Sequence, residues 1–240
     1  MLADAPFNPR PKIEHLELAN GQVCHVIDDA LLDPSAFVEW AAARREEFRI
    51  VDFNAYPGDF LMTPATIQKA LEDFFVAHIR QFFDARRLVK MHCRLSMVTL
   101  PPEKLRPYQW LCHTDRSGLD ATQSIQASVL YLFKDPALGG TSFYTPARPT
   151  DEIARLFADT TQLSNAAFAE RWGIEPGYIG DSNAYFTRIG GVEARFNRLI
   201  FYDGSMLHSG DIPDPKRLSN DPTRGRLTFN GFFVSRRRAA

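Results

Sequence analysis

The sequence predicts an α+β chain with a β-barrel-like core, and three observations carry that reading. Apolar residues recur every three or four positions before residue 88, the period changes to two beyond it, and six short segments rich in Val, Ile, Phe and Tyr follow. Gly-Gly and Pro punctuate those segments, as in a closed or sandwiched β architecture. No internal repeat or low-complexity linker marks a boundary, so the 240 residues form one domain. Residues 1–88 supply an arm and packing helices, and residues 89–235 supply the core, with a helical insert at about 147–183.

Residues 1–22 read as an irregular arm, because Pro6, Pro9 and Pro11 block helix. Val23 to Ile27 follows as a short strand. Asp33-Pro34 is a helix start, with the capping carboxylate ahead of a proline whose missing N–H is of no consequence in the first turn. Phe37, Trp40 and Ala41 share one face of that helix. Thr63-Pro64 repeats the start signal, and Ile67, Leu71, Phe74, Phe75, Ile79 and Phe82 predict an amphipathic helix to about Asp84. The two helices are expected to cover one sheet. The strands are predicted at Lys90 to Leu100, Ser124 to Phe133, Gly140 to Thr145, Ala184 to Ile189, Asn197 to Asp203 and Arg226 to Val234. Asp151 to Gly173 interrupts them with helix, Ile153, Leu156 and Phe157 on one face.

Composition excludes several classes. Lys plus Arg number 28 against 29 Asp plus Glu, a net charge of -1, so no basic surface is available in bulk for nucleic acid or anionic lipid. No apolar run approaches the roughly 20 residues of a membrane span. The N-terminus carries charges and prolines where a signal peptide has an apolar stretch. Three cysteines, Cys24, Cys93 and Cys112, do not make a disulfide framework. The expected location is therefore a reducing cytoplasm. Nothing in the sequence reads on the oligomeric state.

His113-Thr114-Asp115 sets an imidazole and a carboxylate two residues apart, on one face if the segment is extended. Composition alone supplies about 0.7 such pairs by chance, so the triplet by itself also fits a polar surface loop. His208, in NRLIFYDGSMLHSG at the end of a predicted strand, changes that balance. Two histidines and one carboxylate make the facial triad of non-haem iron oxygenases, which leaves open coordination positions. Arg226 and Thr228 share a face at the start of the last strand, where a guanidinium with a nearby hydroxyl suits a carboxylate. An inward arginine on so apolar a strand needs an anionic partner, and Arg226 also fits a water-facing position or a pair with a protein Asp. Arg217 and Arg224 lie closer to His208 but read as loop residues.

The ordered set of His113-x-Asp115, SVLYLF, GGTSFY, NRLIFYDGSMLHSG and GRLTFNGFF resembles the Fe(II)/2-oxoglutarate-dependent dioxygenases, in particular their prolyl-hydroxylase-like bacterial branch. The resemblance covers residues 90–235, and the stretch from His208 to Arg226 is longer than usual for that family. It implies a double-stranded β-helix (jelly-roll) core with flanking N-terminal helices. It further implies Fe(II) held by His113, Asp115 and His208, and 2-oxoglutarate held by Arg226 with help from Thr228. The expected activity is O₂-dependent hydroxylation of a small molecule, amino acid or peptide side chain, with release of succinate and CO₂. An acidic ligand, Asp115, points to hydroxylation rather than halogenation.

Tyr131, Asn230 and Gln126 lie on predicted core strands as further pocket candidates, Tyr131 and Asn230 (the latter on the same face as Arg226 and Thr228) as expected cofactor contacts. Tyrosine there also fits simple packing. Trp110 and Arg116 flank the metal motif and are candidate substrate contacts. Cys112 points away from the ligand face, and His92 reads equally well as structural. His15, His25 and His78 have no context. Pro146 to Gly190 is a candidate lid, and Arg236 to Arg238 read as a solvated tail. Two other readings stand beside the oxygenase: a catalytically silent jelly-roll binding or regulatory protein, and a zinc hydrolase using the same three ligands, which gives Arg226 no role.

Overall fold

Two antiparallel sheets make up the computed structural model, which describes residues 6–50, 56–116 and 118–238. Residues 1–5 of the predicted arm lie outside the described residues. The chain runs β1 (Glu14–Glu17), β2 (Val23–Ile27), α1 (Pro34–Ala42), β3 (Arg49–Ile50), β4 (Gly58–Met62), α2 (Ala65–Phe74) and β5 (Arg87–Val98). It continues with β6 (Gln123–Tyr131), β7 (Thr141–Pro146), α3 (Thr150–Gln162), α4 (Asn165–Trp172) and β8 (Phe186–Val192). Last come β9 (Leu199–Asp203), β10 (Leu207–Gly210) and β11 (Arg226–Arg236).

The larger sheet has the order β1-β2-β9-β6-β11-β5-β4-β3, and the smaller has β10-β7-β8. A bridge between His113 and His208 adds the segment before β6 to the free edge of β10. From β5 onward the chain passes between the sheets: large, small at His113, large at β6, small at β7 and β8, large at β9, small at β10, large at β11. That alternation is the jelly roll, and with its helices the chain is α+β.

β11 explains why one face of the large sheet carries helices and the other carries chemistry. It pairs with β5 on one side and β6 on the other. Alternation sends Leu227, Phe229 and Phe233 to one face and Arg226, Thr228, Asn230 and Phe232 to the other. The first set packs beneath the helices, where Phe37 of α1 meets Phe229 (ring centroids 5.6 Å apart) and Phe75 stacks on Phe233 at 4.1 Å. Gly231 lets α2 come close, since a Cβ there would lie 2.7 Å from Leu71 Cδ2. Phe233→Ala removes a fully buried ring and is expected to destabilise the fold by about 3–5 kcal/mol. A chemical denaturation midpoint that does not move would contradict that packing.

α1 begins as expected, with the Asp33 carboxylate accepting from the Ala36 N–H at 3.1 Å. The second helix departs from its expectation. Thr63 makes no cap, and the α-helix stops at Phe74, giving way to a π turn over Phe75–Ile79 and a 3₁₀ turn over Arg80–Phe82. The wider turn keeps Phe75 and Ile79 buried beside Ile67, Leu71 and Phe74, which is why the apolar spacing runs on past the helix end. The predicted helical insert is two helices, the second capped by Ser164 accepting from Ala167 N–H at 3.3 Å.

The arm is not wholly irregular. Glu14–Glu17 pairs with β2 as an edge strand whose four residues are all exposed, so no apolar alternation announces it. There His15 and His25 bring their Nδ1 atoms 2.8 Å apart, with Phe82 and Phe83 against the rings. Burial, then His15, pushes the His25 imidazole down to about 4 from 6.5. The folded state thus disfavours the charged ring, and stability held above pH 6.5 is lost as pH falls toward 4. His25→Phe is expected to lose less stability on acidification than the wild type, read as thermal midpoints at about pH 7 and pH 4.5. The C-terminal arginines are not simply solvated either. Arg237 pairs with Asp84 at 2.8 Å, and the Arg238 N–H donates to the same carboxylate.

Candidate functional site

The bridge between the two histidine segments builds the site. His113 N–H donates to the His208 carbonyl and His208 N–H donates to the His113 carbonyl, both at 2.9 Å, so the two imidazoles sit side by side. Their ring centroids are 4.5 Å apart. Two residues on, Asp115 N–H donates to the Gly204 carbonyl at 2.7 Å and brings the carboxylate alongside. His113 Nε2 lies 3.9 Å from Asp115 Oδ1, and His208 Nε2 lies 3.5 Å from Asp115 Oδ2. One ligand atom from each residue falls within 4.8 Å of the others.

The chemistry of these groups fits a divalent cation. The Met206 carbonyl, 2.9 Å from His208 Nδ1, can only accept, so that nitrogen carries the proton and Nε2 faces the group with a lone pair. Asp115 Oδ2 is buried and makes no hydrogen bond. Burial pushes the Asp115 carboxyl up to about 6 against the weaker pull of His113 and Arg94, and burial pushes His208 down to about 4. His113 shifts down as well, through burial and then His208, although its side chain stays open along one edge. A buried anion with an orphaned oxygen beside two neutral imidazoles lacks only a positive charge.

The three residues open onto a cavity of about 760 Å³ between the sheets. Arg226, Thr228 and Asn230 line its floor, as their shared face predicts. Arg226 is buried, and its Nε and Nη2 donate to the Leu138 and Gly140 carbonyls at 2.9 and 2.6 Å. Its hydrogen-bond partners are main-chain carbonyls, and among the described residues no carboxylate pairs with it. The glycine pair that punctuates the sequence makes this geometry. Gly139 has φ of 71°, and a Cβ there would sit 1.5 Å from the Asp211 carbonyl oxygen. Arg217, by contrast, pairs with Asp135 at the surface, and neither it nor the exposed Arg224 lines the cavity.

Tyr131 stands behind the cavity wall. Its hydroxyl donates at 2.8 Å to Thr141, which does line the cavity. Gln126 is a correction: it lies on the face turned to the helices, bonded to Ser124 and Ser235 and paired across from Phe233. Alternation groups residues by face but does not say which face is open. Trp110 is buried against Phe168 and does not line the cavity, and Arg116 is exposed outside it. Cys112 is buried, as read. His92 lines the cavity and stacks on Phe232 at 4.9 Å. Of the candidate lid, Tyr178 reaches the cavity, while α3 and α4 pack around Trp110, Leu111 and Tyr144. Among the lining residues that were not anticipated are Tyr56, Tyr202 and Arg94. For Arg94 a signal existed, because alternation along KMHCRLSMVTL places Lys90, His92 and Arg94 on one face.

Residues 9–233 match the model of DUF6445, described as a family of unknown function. No curated protein matches the chain. Among solved structures, the chain is similar to the non-haem alpha-ketoglutarate-dependent epimerase SnoN of nogalamycin biosynthesis, at 13% identity and TM-score 0.46, covering 90% of this chain and 80% of that one. It is similar to a Pseudomonas putida prolyl-4-hydroxylase at 16% identity and TM-score 0.44, covering 91% and 90%. It is also similar to HygX from Streptomyces hygroscopicus, solved with nickel and 2-oxoglutarate bound, at 13% identity and TM-score 0.47, covering 90% and 84%. Among the described residues, no helix is long and apolar enough to cross a membrane.

Proposed function

We propose that this chain, which belongs to the DUF6445 family, is an Fe(II)- and 2-oxoglutarate-dependent oxygenase that hydroxylates a small molecule or an amino acid or peptide side chain. The observation that carries this reading is one cavity holding both the His113, Asp115 and His208 group and Arg226, which pairs with no carboxylate among the described residues. When bound, Fe(II) supplies oxygen activation coupled to decarboxylation of 2-oxoglutarate to succinate and CO₂.

The chain's own residues prepare that chemistry. His113, Asp115 and His208 offer two nitrogens and an oxygen on one side, which leaves the other side to small ligands. Met206 fixes the His208 tautomer through its carbonyl. Arg226 is held rigidly by two carbonyls and presents the rest of its fork to the cavity, where it binds the far carboxylate of 2-oxoglutarate. Thr228 supports it from the same strand face, its hydroxyl donating to the Ser96 carbonyl at 3.3 Å. A zinc hydrolase would use the triad but leave Arg226 without a task. The buried free thiols Cys24, Cys93 and Cys112 fit a reducing cytoplasmic setting.

The test is succinate formation from 2-oxoglutarate with ferrous iron, oxygen and a panel of candidate substrates. Iron-dependent succinate that stops on chelation is expected. Silence across the panel, together with no binding of 2-oxoglutarate, supports the silent binder instead.

A further inference from the structure

Arg94 is a second cation lining the cavity, and no ion pair to it is found among the described residues. It pairs across the sheet with Asn230, whereas Arg226 pairs with Val98, four residues further along β5. At about 3.4 Å per residue their main-chain positions stand about 14 Å apart along the sheet. The Arg94 guanidinium packs against two rings, 3.9 Å from the centroid of Phe60 and 4.9 Å from that of Phe232. Both rings pack against the guanidinium, whose N–H groups point outward in its own plane. Its Nε is buried and without a partner. The carboxylate whose charge reaches it is Asp115 of the triad.

Beside it, Asn230 is also buried and its Oδ1 is without a partner. A buried polar atom that folding leaves unpaired is destabilising unless a ligand completes it. Here a five-donor cation and an acceptor oxygen, directly opposite each other on neighbouring strands, line the same cavity as the triad.

We infer that Arg94 and Asn230 bind the oxidisable substrate, and that this substrate carries a carboxylate with an N–H or O–H donor next to it. The in-plane edge of Arg94 takes the carboxylate in two parallel hydrogen bonds, and Asn230 Oδ1 takes the neighbouring donor. Free 2-amino and 2-hydroxy acids are the class that fits. The inference rests on the oxygenase reading, since it assigns Arg226 to 2-oxoglutarate and Arg94 to the second acid.

The test uses the full chain loaded anaerobically with Fe(II) and 2-oxoglutarate, titrated calorimetrically with a set of 2-amino and 2-hydroxy acids, each beside its carboxamide. At least one acid is expected to bind about tenfold or more tighter than its amide. Arg94→Gln is expected to abolish that preference, and Arg94→Lys, which keeps the charge but not the fork, to retain only part of it. Should thermal melting show that Arg94→Gln loosens the Phe60 and Phe232 stack, the lysine variant decides. Amides binding as well as acids, no acid binding at all, or an Arg94 variant that discriminates like the wild type would each overturn the inference. The wild-type 2-oxoglutarate titration separates the two claims. Loss of metal-dependent 2-oxoglutarate binding sinks the oxygenase reading, whereas intact 2-oxoglutarate binding without acid preference sinks only this one.

Discussion

His208→Ala is expected to abolish iron-dependent succinate formation and to weaken metal binding by more than the roughly 10- to 100-fold typical of losing a supporting residue around a metal. The side chain is the best prepared of the three. It is buried, its Nδ1 is tied to the Met206 carbonyl, and its Nε2 faces Asp115 Oδ2 at 3.5 Å. The fold survives the substitution, because the bridge between residues 113 and 208 uses main-chain atoms alone. Metal affinity and succinate yield thus fall while the thermal midpoint stays close to wild type. His113→Ala is expected to behave likewise. Unchanged succinate production in either variant would remove the assignment.

Arg226→Ala is expected to act differently, raising the apparent KM for 2-oxoglutarate by about 30-fold or more while leaving kcat at saturation less affected. Truncating one side of a buried charged pair typically costs about 2 kcal/mol or more, which corresponds to that factor. The variant also leaves the Leu138 and Gly140 carbonyls without their donor, so a lower thermal midpoint accompanies the kinetic effect. Arg226→Lys restores charge but not the fork, and partial recovery of KM distinguishes carboxylate binding from a purely structural role. A variant whose KM for 2-oxoglutarate matches the wild type would show that the arginine holds carbonyls and nothing else.

Much of the frame was legible because alternation is a local property. Gln123–Tyr131, Leu199–Asp203 and Arg226–Arg236 differ from their predicted limits by only a few residues, and the Asp33 cap is where Asp-Pro places it. Strands built from exposed or very short segments were not legible. Glu14–Glu17 is exposed throughout, and Leu207–Gly210 exists only because β7 and the His113 segment pair with it.

The site divides in the same way. The identities of His113, Asp115, His208 and Arg226 follow from residue chemistry in strand context, but their convergence depends on main-chain pairing between distant segments. Gln126 shows the limit of period-two reasoning, since its face is set by the helices above Phe233 rather than by its own strand. Arg94 shows the opposite. The argument that singled out Arg226, an inward arginine on a core strand, applies also to Arg94, and the register of β5 on β11 then sets it beside Asn230.

The most direct measurement is anaerobic calorimetry of 2-oxoglutarate binding to the wild-type chain with and without Fe(II). One molecule bound per chain, only when iron is present and not after His208→Ala, is the predicted result. Binding that is indifferent to iron, or no binding at all, would contradict a metal and a dicarboxylate sharing this cavity.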